Sequence, residues 1–392
     1  MKVRILTGKF GMGHMTVALA IAEQIKAGSL DADVKVIDWF TYISPKIAGQ
    51  YYHIFELLVN KGTGFYNTRY RLLENWKTDQ KPELCSLFMQ FMKKFIRNEQ
   101  PDIIISTLPL CSQIISLYKE KTGSTIPLIT CVTDITGHSE WINKNTDAYM
   151  VGDEIVRDKF MVKGVAADRI FETGIPVRLG FINKENEVKD SKISTKRILI
   201  MGGGLGMLPA DESFYRRLEN LPNVEITIIT GKNKHMFQEL SNKFKKINIL
   251  GYIGNVYDYM ERADILITKP GGSTVFEAIH AEIPILVLKP HLQQEKYNAE
   301  YIQEMNIGKV IDINKKECLE EIKEILRQDN LQVYKRNILE IKNRLKYNHF
   351  TLGQLIIRTA VTSGRMDKSI FDTVNYEISE ECQIHEKISF NL

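Results

Sequence analysis

Three groups of residues have types and spacings that could do chemistry. The first is Gly8-Lys9-Phe10-Gly11-Met12-Gly13-His14, which follows a short apolar run and precedes a helical stretch from about Met15. Glycines after a first strand let the backbone approach a ligand closely. The helix that follows would present N–H donors and the positive end of its dipole. The spacing departs from the G-x-G-x-x-G dinucleotide fingerprint, so NAD binding is a weak reading. His14 stands where a ligand would lie, and an imidazole can take a proton near neutral pH. The plainer reading is a histidine that caps or orients the loop. The second group is Val132-Thr133-Asp134-Ile135-Thr136-Gly137-His138-Ser139-Glu140-Trp141. It leaves the end of a predicted strand, where α/β sheets place working residues. Asp134 and His138 offer an acid–base or orienting pair; alternatively Asp134 caps a helix in a polar loop.

The third group lies in the C-terminal half. Lys269-Pro270-Gly271-Gly272-Ser273-Thr274 joins a predicted strand to a helix. Two glycines, two hydroxyls and a helix N-terminus make a diphosphate cradle. Glu277 falls one turn further on, where its carboxylate can accept two hydrogen bonds from a ribose diol or simply stabilise the first helical turn. A second strand-end loop, Lys289 to Ala299, brings Gln294 and Glu295 into reach of sugar hydroxyls, with Asn298 holding the loop. Gly202-Gly203-Gly204-Leu205-Gly206 would let a ligand or the other domain's loop come close to Gly204. Gly251-Tyr252-Ile253-Gly254-Asn255 could read a base edge through the backbone near Ile253.

The elements that must position these loops are short apolar runs alternating with amphipathic stretches. Val3–Thr7, Val34–Trp39, Ile103–Thr107, Leu128–Thr133 and Ala148–Val151 read as buried parallel strands. A second series follows: Ile198–Met201, Val224–Thr230, Ile247–Leu250, Ile265–Thr268, Ile285–Leu288 and Lys309–Ile311. This alternation predicts parallel sheets covered on both faces. The polar stretch 183–196 reads as a linker between an N-terminal domain (1–182) and a C-terminal domain (197–348). Helices are expected near Lys315–Gln328, Asn330–Tyr347 and Thr351–Gly364. The last of these (349–366) is expected to pack back on the first domain, and 367–392 forms a tail with no firm signal.

The chain has 392 residues, 44% hydrophobic and 26% charged, with a net charge of +4, as suits two soluble globular domains. Its five cysteines, Cys85, Cys111, Cys131, Cys318 and Cys382, lack metal-ligand spacing. A zinc site or disulfide framework is not expected, and a reducing cytosol fits. No signal peptide is expected, because Met1 runs straight into a strand. No apolar run approaches the ~20 residues of a spanning helix, so any membrane contact is expected to be peripheral, on the inner face.

Taken in order, TGKFGMGH, VTDITGHSEW, TGIPVR at Thr173–Arg178, GYIGNVYDYM and TKPGGSTVFEAIHAEIPILVLKPHLQQEKYNAEYI span Thr7 to about Ile302. This order resembles the monogalactosyldiacylglycerol synthase and processive diacylglycerol glucosyltransferase family, which is related to the peptidoglycan N-acetylglucosaminyltransferase. The resemblance implies the α/β GT-B fold: two Rossmann-like doubly wound domains facing a central cleft, with C-terminal helices. It implies inverting transfer of a hexose from a UDP-sugar to a lipid hydroxyl, with no metal and no cofactor beyond the UDP-hexose donor. It carries over Glu277 for the ribose, Gly272, Ser273 and Thr274 for the diphosphate, Gln294 and Glu295 for the hexose, and His14 or Asp134 as base, with the Gly271–Thr274 helix end stabilising the leaving diphosphate. Two departures stand out. The first loop is less glycine-rich than the plant-type G-G-G-H, and the sugar loop reads L-Q-Q-E where the lipid enzymes usually have P-G-Q-E.

The acceptor side is expected to combine Gly11, Gly13 and Trp141 with a basic, aromatic stretch from Tyr51 to Arg97. From Asn60 to Arg97 it holds eight Lys/Arg against three acids. Phe65, Tyr66, Trp76, Lys93, Lys94 and Arg97 are its candidates for an anionic membrane surface, no nucleic acid being expected; the bland alternative is amphipathic helices with their apolar faces in the core. Rival functions are transfer to a non-lipid small molecule, a UDP-sugar epimerase of GT-B fold, and a non-catalytic nucleotide-sugar-binding scaffold at the membrane.

Overall fold

A computed structural model describes residues 1–28, 30–61, 63–74, 78–81, 85–182, 195–315, 317–347 and 351–366. The stretch 183–194 of the expected linker, Trp76 and the tail 367–392 lie outside the described residues. The apolar runs form two six-stranded sheets, parallel throughout. The first holds β1 (Lys2–Thr7), β2 (Asp33–Asp38), β3 (Ile103–Ser106), β4 (Leu128–Cys131), β5 (Ala148–Val151) and β6 (Ile170–Glu172), in the order β2-β1-β3-β4-β5-β6. The second holds β7 (Lys196–Met201), β8 (Val224–Ile229), β9 (Asn248–Leu250), β10 (Ile265–Thr268), β11 (Ile285–Leu288) and β12 (Gly308–Ile311), in the order β12-β11-β10-β7-β8-β9. Strand β7 opens at Lys196, the last residue assigned to the linker. Strand β6 was not expected: three residues ending in an acid leave no apolar run to read. Trp39, expected to end a strand, instead begins a helix.

Helices of the first domain are α1 (Gly13–Ala27), α2 (Trp39–Ile43), α3 (Ala48–Lys61), α4 (Thr63–Glu74), α5 (Cys85–Glu99), α6 (Pro109–Thr122) and α7 (Glu154–Val162). Those of the second are α8 (Glu212–Glu219), α9 (Lys234–Lys243), α10 (Val256–Arg262), α11 (Gly272–His280), α12 (Gln293–Glu304), α13 (Cys318–Ile325) and α14 (Gln328–Tyr347). The final helix, α15 (Leu352–Thr362), returns to the first domain and lies against α1 and β4. Strands β3, β4, β5 and β10 are buried along their whole length, because helices cover both faces. No helix among the described residues is long and apolar enough to cross a membrane.

Each sheet reverses its winding once, between β1 and β3 in the first and between β7 and β10 in the second. Open α/β sheets bind ligands in the crevice outside the strand ends at such a reversal. The glycine loops after β1, β7 and β10 all sit at these two points. The domains join through a continuous apolar core that includes Ile175, Val275, Phe276 and Leu345. Phe276 fits there because Gly152 and Gly174 leave room: a Cβ on either would lie 3.2 Å from its ring. At the rim, Arg344 of α14 pairs with Glu154 of α7 at 2.5 Å.

Candidate active site

The strand-end loops of both sheets line one cleft of about 510 Å³. Gly11, Gly13, His14 and Asp134 come from the first domain; Gly204, Ile253 and the stretch from Gly271 to Thr274 come from the second, with Glu277, Gln294, Glu295 and Asn298. The two helix N-termini nearly meet: a Cβ on Gly13 would lie 3.8 Å from Ser273 Oγ. Met12, in the left-handed region at φ 69°, precedes α1, and its side chain would come within 3.3 Å of a Cβ on Gly204. The glycine loop after β7 therefore admits the other domain's loop.

Helix α11 begins at Gly271–Gly272 with no side-chain cap. Its first N–H groups face the cleft, as an anion site requires. Glu277 projects from the same helix and is 95% buried, at 5% exposure. Burial pushes its carboxyl up to about 7, and the Arg178 guanidinium pulls the other way. Arg178 also donates from Nη1 to Gly254 O at 2.6 Å, tying the TGIPVR segment to the loop carrying Ile253. Lys269, at the end of β10, pairs with Glu295 at 3.3 Å. Arg178 and Lys269 belong to motifs named above but have no role there; Lys269 has a strand-end position as its signal, and Arg178, which follows β6 by several residues, has none.

On the facing wall, His14 Nδ1 lies 2.9 Å from Thr133 Oγ1. Thr107 Oγ1 donates to His14 O at 3.1 Å, fixing the start of α1. Burial pushes the His14 imidazole down to about 4, and a hydrogen bond with the Thr107 backbone works against that. Burial raises the Asp134 carboxyl to about 6; the Asn298 amide and Lys269 oppose the rise, and Glu295 adds to it. Two groups able to accept a proton thus line the same cleft. Glu140, behind this wall and not lining the cleft, is a second acid, pushed up to about 7 by burial and then by Asp134; the sequence assigns it no role.

Asn298 does something different from holding its own loop. It is fully buried, accepts from Ile135 N at 2.9 Å and donates from Nδ2 to Pro270 O at 2.9 Å. One amide joins the Asp134 loop to the diphosphate loop across the domain boundary. A Cβ on Gly272 would sit 2.2 Å from Thr133 O, so the same boundary also demands glycine at 272.

Several expectations need correction. His138 forms no pair with Asp134 and does not line the cleft. Its Nε2 donates to Tyr70 O at 2.9 Å, its Nδ1 accepts from Glu140 N at 3.2 Å, and its ring stacks on Tyr70 at 3.9 Å. With both nitrogens engaged by main chain it orders the loop. Trp141 is fully buried with its ring 6.1 Å from His14, a core residue that backs the histidine and not an acceptor surface. Among the basic helices, α5 turns Phe95 and, more partly, Phe88 and Phe91 into the core around Trp39, leaving Lys93, Lys94 and Arg97 outward. Burying those rings inside is worth more than leaving them to a surface. Tyr70 is buried and Tyr66 lines the cleft; Phe65 alone of the described aromatics in that stretch is strongly exposed, at 68%.

Two facing doubly wound domains with nucleotide-sugar-type loops at both winding reversals define a glycosyltransferase of the GT-B class. Comparisons agree. The monogalactosyldiacylglycerol (MGDG) synthase family matches residues 14–177, and the glycosyltransferase family 28 C-terminal domain matches residues 197–346. A processive diacylglycerol beta-glucosyltransferase of Bacillus cytotoxicus is 30% identical over 357 residues, covering 88% of this chain and 89% of that protein. Among solved structures, the glycosyltransferase of kitacinnamycin superposes with TM-score 0.57 at 14% identity, over 91% of this chain and 98% of that one. The UDP-GlcNAc 2-epimerase of Neisseria meningitidis gives 0.57 at 15% identity, over 92% and 100%, a likeness of fold alone. The chain belongs to the processive diacylglycerol beta-glucosyltransferase family.

The clamp has a measurable weight. Asn298→Ala leaves Ile135 N and Pro270 O buried without their partner, which costs about 1–3 kcal/mol for each group so exposed. Denaturant titration should show a lower midpoint, with Asp134 raised further because the opposing amide is gone. An unchanged midpoint would mean that water replaces the clamp at no cost.

Proposed function

We propose that this chain transfers a hexose from UDP to the hydroxyl of diacylglycerol at a membrane surface, with inversion at the anomeric carbon. The relatives' names favour glucose as the hexose. The observation that carries the reading is Glu277: a buried carboxylate facing the cleft one turn beyond an uncapped helix N-terminus. A ribose diol can satisfy that carboxylate while the diphosphate meets the N–H groups of Gly272, Ser273 and Thr274. In this pose the hexose extends toward Gln294 and Glu295, with Lys269 holding Glu295. The acceptor oxygen attacks the anomeric carbon from the Asp134 and His14 wall as the bond to the UDP oxygen breaks. The hydroxyl proton passes to Asp134 or His14, and the charge gathering on UDP is met by the start of α11 without a metal.

The lipid half of the reading rests on the outer surface of α3 and α4. Ile47, Tyr51, Ile54 and Leu57 recur at helical spacing and are exposed, Ile54 by 61%; Phe65 and Leu72 are exposed on α4. Apolar patches of this kind mark interaction sites. Exposed Lys93, Lys94 and Arg97 on α5 add positive charge suited to an anionic, cytoplasmic leaflet. Apart from Ile47, these exposed residues fall within the Tyr51–Arg97 acceptor side expected from sequence.

Three outcomes test this. Burial keeps Glu277 protonated until near 7, and the ionised form is the better acceptor. UDP-glucose, whose two phosphates do not titrate in this range, should therefore bind more tightly from about pH 6 to about pH 8 and then level, whereas Glu277→Gln should bind about tenfold more weakly with a flat profile. Calorimetry giving a flat wild-type profile removes Glu277 from the ribose. Asp134→Asn and His14→Ala should separate the base: the true one loses ~10²-fold or more in turnover. The acid limb of kcat/KM falls near 6 for Asp134 and near 4 for His14, and two near-normal variants refute this proton path. Finally, UDP-glucose and diacylglycerol in anionic vesicles should yield glucosyl-diacylglycerol by mass spectrometry. Yield should fall in neutral vesicles and with salt, and in the Lys93, Lys94 and Arg97 to Glu variant. Product formed only on a soluble acceptor would replace the lipid reading.

A further inference from the structure

The loop that enters α12 is held from outside its own domain. Asn67, on α4, spans the residues flanking Leu292 with a single amide. Its Nδ2 donates to His291 O at 2.8 Å, and its Oδ1 accepts from Gln293 N at 2.8 Å. Helix α12 has no side-chain cap of its own at Leu292. A helix N-terminus has orphan N–H groups that a nearby residue usually satisfies; here the acceptor is 226 residues away in sequence.

The neighbouring residue acts on the next side chain. Gln294 Nε2 donates to Tyr66 Oη at 3.1 Å. That uses one of the two N–H donors at the nitrogen end of the amide. The oxygen end, Gln294 Oε1, is buried with no hydrogen-bond partner among the described residues, in a side chain that lines the cleft. A buried acceptor left alone is costly, and a hydroxyl donor relieves it. At the other end of α4, Glu74 accepts from the Tyr297 hydroxyl. Helix α4 thus grips the α12 entry at both ends. Its opposite face shows Phe65 and Leu72 to solvent, 68% and 64% exposed.

We propose that α4 is a positioning element of the donor site. Asn67 and Tyr66 set Gln294 so that Oε1 accepts from a hexose hydroxyl, and seating of the Phe65–Leu72 face on lipid and binding of the hexose become one linked equilibrium. The inference rests on the donor and membrane reading above. Linkage makes the effect reciprocal: whatever lipid does for the sugar, the sugar does for lipid.

Calorimetry on the full chain tests it, with UDP and UDP-glucose as probes, alone and with vesicles of equimolar phosphatidylcholine and phosphatidylglycerol. Asn67→Ala should weaken UDP-glucose by about tenfold while UDP stays within about twofold. Tyr66→Phe should move the same way by less. Asn67→Asp keeps an acceptor for Gln293 N and should recover most of the loss. Vesicles should tighten UDP-glucose on the wild type and not on Asn67→Ala. Unchanged UDP-glucose affinity in Asn67→Ala overturns the positioning role, as does an equal loss for UDP, which would report general damage. An equal vesicle effect on both proteins overturns the link to lipid. A wild type that binds neither nucleotide overturns the donor reading itself, a result separable from the others.

Discussion

The boundary between the domains allows almost no space. A side chain at 272 would overlap Thr133 O, and a single buried amide, that of Asn298, satisfies one main-chain group from each side. These two contacts set the distance between the helix N-terminus that would receive a diphosphate and the wall that would receive a proton. Chemistry at a shared cleft needs its groups placed to well under an ångström. Here that tolerance comes from backbone-to-backbone proximity and a short rigid amide, which have few ways to vary. The apolar core through Phe276 supplies the adhesion, and the polar contacts supply the register.

Within that frame the electrostatics are arranged against the empty site. Burial raises Glu277, Asp134 and Glu140 above the usual carboxylate range, although of the three only Glu277 is closed off from solvent and the Glu140 side chain stays 27% exposed. His14 is held neutral by the same cause. A folded chain gains nothing from such groups, since their charged forms are poorly solvated. A ligand carrying hydroxyls, or a transition state carrying a proton to be taken, turns that cost into affinity or rate. Clusters of this kind are characteristic of functional sites.

Much of this was legible in the chain. Buried parallel strands read as apolar runs, and eleven of the twelve strands of the two sheets correspond to such runs; β6 escaped because Ile-Phe-Glu is too short and too polar. The loops that reach the cleft were legible because glycine, serine and a carboxylate after a strand have few other uses. Roles set by distant partners were not legible. His138 beside Asp134 looks like a catalytic pair until Tyr70 O takes its Nε2, and Asn67 carries no local sign that it caps a helix 226 residues on. The aromatic and basic residues of α5 were correctly seen as two faces, but composition cannot say which face turns inward; the core around Trp39 decides that.

The return of α15 to the first domain means that the polypeptide crosses between the domains twice, once between 182 and 195 and again between α14 and α15. The second crossing is anchored on both of its sides: Leu345 near the end of α14 sits in the apolar core the domains share, and α15 lies against α1 and β4. Two covalent tethers limit how far the domains can part, so opening the cleft widely would also have to draw Leu345 out of that core and Asn298 away from Ile135 N.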